Sequence, residues 1–346
     1  MIKTSLLTFL LFCGVTLFAQ DDSEFKFSDH LDQKRIDLFY NGTLLTSYDY
    51  ADSIKKPVLF PLNTVSGITV TRGFPIAPRP GERIDHPHHI GMWLNYEYVN
   101  NIDFWNNSTA IPYKDRNHYG TIVHDGVVKT EADKTHATLE VTARWINHQD
   151  QILLREETQY SFHVKDDNFI IDRTTTLIAY SGDVSFKDVK DGLLGIRVAR
   201  ELELPSTEAI TFLDNKGNPT TVAAINNDNV TGEYLSSEGI TGNNVWSTRG
   251  RWVRLDGIKD DQAICITIID HPKNIGYPAY WHARGYGLFA VNPLGQEVFS
   301  KGKTKLNFGL KKDQSVTFRY RVVIHEGDEL FPKEIDELAT EFANKD

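Results

Sequence analysis

Four consecutive runs between residues 121 and 179 alternate apolar and polar side chains with a period of two: TIVHDGVVKTE, THATLEVTARWINHQ, ILLREETQYSFHV and FIIDRTTTLIAY. That period is strand geometry, because successive side chains leave opposite faces of an extended backbone. Asp, Lys and Asn turns separate the runs, so the stretch reads as an antiparallel meander with one face buried and one wet. LFYNGTLLTSYDY adds Asn41-Gly42 between two alternating runs, the composition of a two-residue hairpin. Further strands are expected at GITVTRGF, LLGIRVAR, RWVRLDG, AICITIID, YGLFAVN, KLNFGL and SVTFRYRVVIH. Asp214 to Thr248, rich in Asn, Gly, Ser and Thr, reads as an extended loop excursion. Only the tail PKEIDELATEFANKD carries a helical stripe, Ile335, Leu338 and Phe342, with Pro332 near its start. Many short strands without strand–helix alternation predict an all-β chain, a large antiparallel β-sandwich of supersandwich-like size with a short C-terminal helix. No composition break divides residues 20–346, which are read as a single β-sandwich domain.

Residues 1–19 read as a secretory signal peptide: Lys3 supplies the charge, Leu6 to Phe18 the apolar run, and Ala19 before Gln20 a cleavage point. No later stretch has the roughly 18 apolar residues of a membrane span, so the mature chain is expected to be exported, with the periplasm as its location. Of two cysteines, Cys13 lies in the leader and Cys265 in the apolar run AICITIID, a buried strand residue without a disulfide partner. A formal net charge of −10 argues against wrapping a nucleic acid, yet leaves room for one anionic sugar in a locally basic cleft.

The chemistry concentrates in Arg83 to Trp105, RIDHPHHIGMWLNYEYVNNIDFW. On an extended backbone His86 and His88 would share one side and His89 the other, with Pro87 between them biasing His86 toward extension. Neutral imidazoles there could bind a divalent metal, with His86, His88 and His282 as an alternative ligand set. Equally, one imidazole could move a proton near neutrality while Arg83 and Asp85 hold an anion and fix its tautomer. A hydrogen-bonded rim on a strand is the bland alternative. Three other segments carry polar clusters. DHPKN places Asp270 and His271 at the end of an apolar strand, where sandwiches build sites on loops. PAYWHARGYGLF crowds Tyr280, Trp281, His282 and Arg284, a lining suited to sugar faces and carboxylates, although Tyr280 and Trp281 could equally be sheet packing. KDVKDGLLGIRVAR buries Arg197 among apolar neighbours, which calls for a carboxylate partner or a ligand, an internal salt bridge being the simpler answer. Asp85, Glu97, Asp103 and Asp188 could furnish the carboxylate pair of a glycosidase. The chain has no His-Glu-x-x-His helix, nucleophile elbow, phosphate loop or dinucleotide fingerprint.

DHPHHIGMW with NNIDFW, then KDGLLGIRVA, DHPKNIGYPAYWHARGYGLFAVNPLG and TFRYRVVIHEG, resemble the PmoA-like family of exported bacterial proteins. The resemblance covers nearly the whole mature chain in order; Ile90 departs from it where an arginine is expected. That family's "methane oxygenase" label does not suit a chain lacking membrane spans. The resemblance implies a β-sandwich encoded beside polysaccharide-degradation genes in Bacteroidetes and related bacteria. Some such proteins look like oligosaccharide dehydratases, lyases that remove water from a terminal uronic acid and leave a 4,5-unsaturated residue. In that chemistry His86 or His88 is the base, and His282 or His271 the acid, with Tyr280 as its substitute. Arg83 or Arg284 would hold the carboxylate, with Asp85 and His89 beside it, and Trp93, Trp105 and Trp281 would stack on sugar. The expected partner is an acidic oligosaccharide, with no cofactor unless a divalent metal is bound. A glycoside hydrolase and a noncatalytic carbohydrate-binding protein remain open alternatives.

Overall fold

The computed structural model describes residues 24–224 and 226–345; the expected signal peptide lies outside the described residues. Two eight-stranded antiparallel sheets dominate it. The strands are β1 (Phe25–His30), β2 (Arg35–Tyr40), β3 (Thr43–Asp49), β4 (Val58–Leu62), β5 (Met92–Tyr96), β6 (Thr121–Ala132), β7 (His136–Ile146) and β8 (Ile152–Lys165). They continue as β9 (Asn168–Ala179), β10 (Gly192–Arg197), β11 (Glu233–Ser236), β12 (Trp252–Lys259), β13 (Gln262–Asp270), β14 (Tyr280–Arg284), β15 (Leu288–Asn292) and β16 (Ser315–Glu326). The first sheet runs β1-β2-β3-β4-β5-β10-β15-β14 and the second β11-β12-β13-β16-β9-β8-β7-β6.

The alternating runs become β6 to β9 as expected. Leu139, Val141, Ala143 and Trp145 of β7, with Tyr160 and Phe162 of β8, form one side of a core whose other side is Leu38, Leu45, Leu62, Leu94 and Tyr96 of the first sheet. Asn41 and Gly42 take positive φ, 51° and 80°, at the β2–β3 hairpin. Three expectations change. KLNFGL keeps only the two-residue strand Gly309–Leu310, paired with Val184–Ser185. GITVTRGF is held by the isolated bridges Asn63–Thr69 and Thr71–Val198 rather than by a continuous ladder. The 214–248 excursion includes β11, which extends the second sheet at its edge; its polar composition fits an edge strand.

The helix Pro332–Ala343 closes the far side of the second sheet. Its Ile335 and Phe342 join Trp252, Cys265, Ile269 and Val323 in a separate buried cluster. The far side of the first sheet carries a third, smaller cluster built on Trp93, Trp105, Ile90, Leu288 and Ala290. A polar assembly covers this third layer, joined at one end by Phe299 of the short helix Gln296–Phe299, which lies against Tyr280 and His282.

Candidate active site

The floor of that assembly follows from strand alternation. On β5, Met92, Leu94 and Tyr96 enter the inter-sheet core, so Trp93 and Asn95 face away from it. Register places Trp93 opposite Gly195, Gly195 opposite Ala290, and Ala290 opposite His282. The two middle residues of this row are the smallest available, so the sheet face dips between the indole and the imidazole into a trough that the Trp93 ring fills over Gly195, and the row is buried throughout. Gly195 is obligatory there, since a Cβ would sit 2.7 Å from the Trp93 ring. The adjacent row on the same face is Arg197, Leu288 and Arg284.

Over one end of the trough lies the histidine segment, and it is not extended. His86 has φ 42° and the His89 amide donates to the His86 carbonyl at 2.9 Å, so Pro87 and His88 form a turn. The expected split of His86 and His88 from His89 is therefore replaced by convergence. The His86 and His89 rings stack at 4.8 Å, and His88 meets His89 edge-on at 4.3 Å. Two buried arginines impose this shape. Arg72 donates to the carbonyls of Asp85, His86 and His89 and to the Asp85 carboxylate at 2.7 Å. Arg197 donates to the same Asp85 oxygen at 2.7 Å and to His89 Nδ1 at 3.2 Å. The internal salt bridge anticipated for Arg197 is thus Asp85. Burial pushes the Asp85 carboxyl up, but the adjoining His86 ring and the charges of Arg197 and Arg72 outweigh it and hold the group ionised. Asp85 Oδ2 lies 3.1 Å from Nδ1 of His86, whose side chain keeps 40% of its surface exposed.

His88 and His89 are buried, and burial, with the neighbouring Lys56 charge, lowers the His88 pKa to about 2; His89 falls too. His89 stacks on Trp93 at 5.2 Å and touches Trp105 edge-on. Both indoles are fully buried, so they buttress the histidines and present no face to a sugar, contrary to expectation. Lys56, absent from the sequence reading, donates to the His88 carbonyl at 2.6 Å, and burial lowers its pKa to about 7.

Tyr286 closes the assembly from the other side, stacked on His86 at 5.1 Å with a 1° interplanar angle. The guanidinium carbons of Arg197 and Arg284 lie 5.0 and 5.8 Å from its centroid. Tyr286 belongs to the same segment, PAYWHARGYGLF, but lies in the turn after β14, where the strand period no longer places it. At the other end of the trough, His282 Nδ1 is 3.0 Å from the Lys190 carbonyl and 3.5 Å from Asp191, whose second oxygen pairs with Lys190 at 2.6 Å. Burial lowers the His282 pKa to about 4. Glu97, two residues beyond Asn95, receives the opposite shift: burial and the Asp191 and Asp103 charges raise it to about 7. Buried side-chain atoms without partners gather around this region, among them Nε2 of His88 and His89, Nε1 of Trp93 and Oδ1 of Asn95.

Other expected site residues lie elsewhere. Arg83 is buried and paired with Glu203 at 2.7 Å, so it is not free to hold a substrate carboxylate. Trp281 points into the inter-sheet core, bonded to the Gly250 carbonyl. His271 packs against Phe342 of the C-terminal helix, on the second sheet and away from the trough. Tyr280 is on the trough face but stacks on Phe299. Among the described residues no three His, Cys, Asp or Glu side chains are arranged to hold a metal ion, the set His86, His88 and His282 included.

Residues 35–340 match the model of a family described as "Family of unknown function (DUF6807)". The chain belongs to that family. No curated protein matches this DUF6807 member. Solved structures similar to it include a family 36 α-galactosidase from Geobacillus stearothermophilus, 12% identical with a TM-score of 0.39, covering 88% of this chain and 41% of that one. The chain thus spans about two fifths of the galactosidase's length. A galactose 1-epimerase from Lactobacillus acidophilus NCFM is 9% identical with a TM-score of 0.38, over 89% and 99% of the two chains. A galactose mutarotase-like protein from Clostridium acetobutylicum is 11% identical with a TM-score of 0.33, over 88% and 99%. No helix of the described residues is long and apolar enough to cross a membrane.

Proposed function

We propose that this protein is an exported, periplasmic lyase that removes water from the terminal uronic acid of an acidic oligosaccharide. The observation that carries the reading is the His86–Asp85 pair: a half-exposed imidazole whose Nδ1 faces a carboxylate kept ionised by Arg72 and Arg197. The two atoms do not meet hydrogen-bond angles, so the carboxylate acts on the ring through its charge, favouring a proton on Nδ1 and leaving Nε2 as the base. His86 then takes the proton alpha to the sugar carboxylate, at C5. Its electron pair becomes the new double bond to C4, and the C4 hydroxyl departs as water with a proton from Glu97. Arg284, half-buried beside Tyr286, stabilises charge that develops on the sugar carboxylate. The resemblance to the PmoA-like family supports the same reaction class.

Glycoside hydrolysis is the second reading, favoured by one observation. Two carboxyls of the region have pKa values pushed apart, Glu97 up and Asp85 down, as an acid and its partner would require. The deciding experiment incubates the purified protein with uronate-terminated oligosaccharides and follows the ultraviolet absorbance of a conjugated unsaturated carboxylate. Rising absorbance that is lost in His86→Ala and Glu97→Gln supports the dehydratase. Smaller sugars released at constant absorbance would replace it with the hydrolase.

A further inference from the structure

Arg284 differs from the other buried or half-buried arginines around the site. Arg72 and Arg197 share Asp85, Arg83 and Arg200 share Glu203, and each guanidinium thereby meets an acid. Among the described residues Arg284 forms no ion pair; it is held by rings, 5.4 Å from the centroid of Trp246 and 5.8 Å from that of Tyr286. A guanidinium fixed between aromatic faces keeps its donor edge for an oxygen ligand. Beside it opens a recess of about 290 Å³ lined by Arg83, Ser206, Asn243, Trp246, Arg284 and Tyr286. The lining therefore combines an aromatic wall, an amide and a hydroxyl, the mixture that fits a pyranose rather than an apolar ligand. The recess adjoins the His86 site across Tyr286, which stacks on His86 and also lines the recess.

We infer that this recess is a second sugar subsite, holding the residue joined to the reacting uronate, so that the substrate is at least a disaccharide. The inference rests on the proposed reaction for the placing of the first sugar, whose carboxylate takes Arg284, and on Trp246, Asn243 and Ser206 for the second. Trp246 meets the ring of the second sugar, while Asn243 and Ser206 reach its hydroxyls. Glu208, exposed and also on the lining, turns an anionic second sugar away and favours a neutral one.

The test separates binding from turnover. Calorimetric titration of the His86→Ala protein is run with glucuronate- and galacturonate-terminated disaccharides, with the two free uronates, and with neutral cellobiose. One of the disaccharides is expected to bind on the order of tenfold more tightly than its free uronate, the scale of one well-packed aromatic contact. In the same background, Trp246→Ala and Asn243→Tyr should each remove that advantage; the second fills the recess from an exposed position and needs no core change. Retained thermal midpoints would show that both variants fold. Equal affinity for disaccharide and free uronate, no disaccharide binding, tighter binding of cellobiose, or an advantage that survives both variants would overturn the subsite. Disaccharide binding with no unsaturated product from the wild-type protein would remove the proposed reaction and leave the subsite standing.

Discussion

Asp85 does two jobs with one carboxylate, and the consequences of replacing it are separable from those of replacing its neighbour. Arg72 and Arg197 are 1% and 0% exposed, and both meet the same Asp85 oxygen. Asp85→Asn leaves two desolvated guanidiniums without a full counter-charge, so stability should fall by about 3–5 kcal/mol, read as a shift of the denaturant midpoint. His86→Ala removes a half-exposed ring, and should cost less than about 1 kcal/mol of stability. Its turnover should drop about 10²- to 10⁴-fold, the usual contribution of a general base. Glu97 carries the pH dependence. It must be protonated to act as the acid, and its pKa is raised to about 7, so the rate should fall as pH rises through that value. A Glu97→Gln protein that retained the same alkaline decline would show that another group sets it. Residues of this kind divide by how far their environment is local. Tyr286 lies in the same short sequence cluster as Tyr280, His282 and Arg284, whereas the role of Arg72 needs Asp85 and His89 brought to it by the turn.

At the scale of single elements, alternation was the readable signal and its limits are equally physical. The meander from β6 to β9 follows from a period of two, seen most fully in β7 and β8, each of which has one wet face. The same rule places Trp93, Gly195, Ala290 and His282 in one row once the strand order is known, but no local pattern reveals that order. The histidine segment defeated the rule. Its apparent extension through Pro87 yields to the hydrogen bonds of Arg72 and Arg197, from segments distant in sequence. Aromatic content likewise did not say which rings face solvent: Trp93, Trp105 and Trp281 are buried, and Trp246 lines a recess. Gly195→Val tests the row itself. Its side chain would collide with the Trp93 ring, costing about 1–3 kcal/mol and displacing the floor under His89. Reduced thermal stability with reduced turnover is expected; an unperturbed protein would mean that the trough is wider than its register implies.

The whole molecule collects its uncovered polar groups on one sheet face, and that has a thermodynamic cost. His88, His89 and His282 are buried with lowered pKa values, about 2 for His88 and about 4 for His282. Below the ordinary histidine value of about 6.5 the unfolded chain binds protons that these groups refuse in the folded state. Their contribution is complete above that value and is lost as pH falls below it. Asp270 and Glu97, raised to about 7, act in the opposite sense, losing stability as pH rises from the carboxylate range. With four buried imidazoles, His271 included, and the half-buried His163 lowered to about 4, against Asp270 and the half-exposed Glu97, the thermal midpoint should decline between pH 7 and 5. A midpoint that rises over that interval would contradict the burial of the histidine turn. The reaction itself is tested most directly by the mass balance of one turnover on a uronate-terminated oligosaccharide. A dehydratase gives a single product of unchanged chain length lighter by one water. Two shorter sugars whose summed mass exceeds the substrate by one water would contradict it.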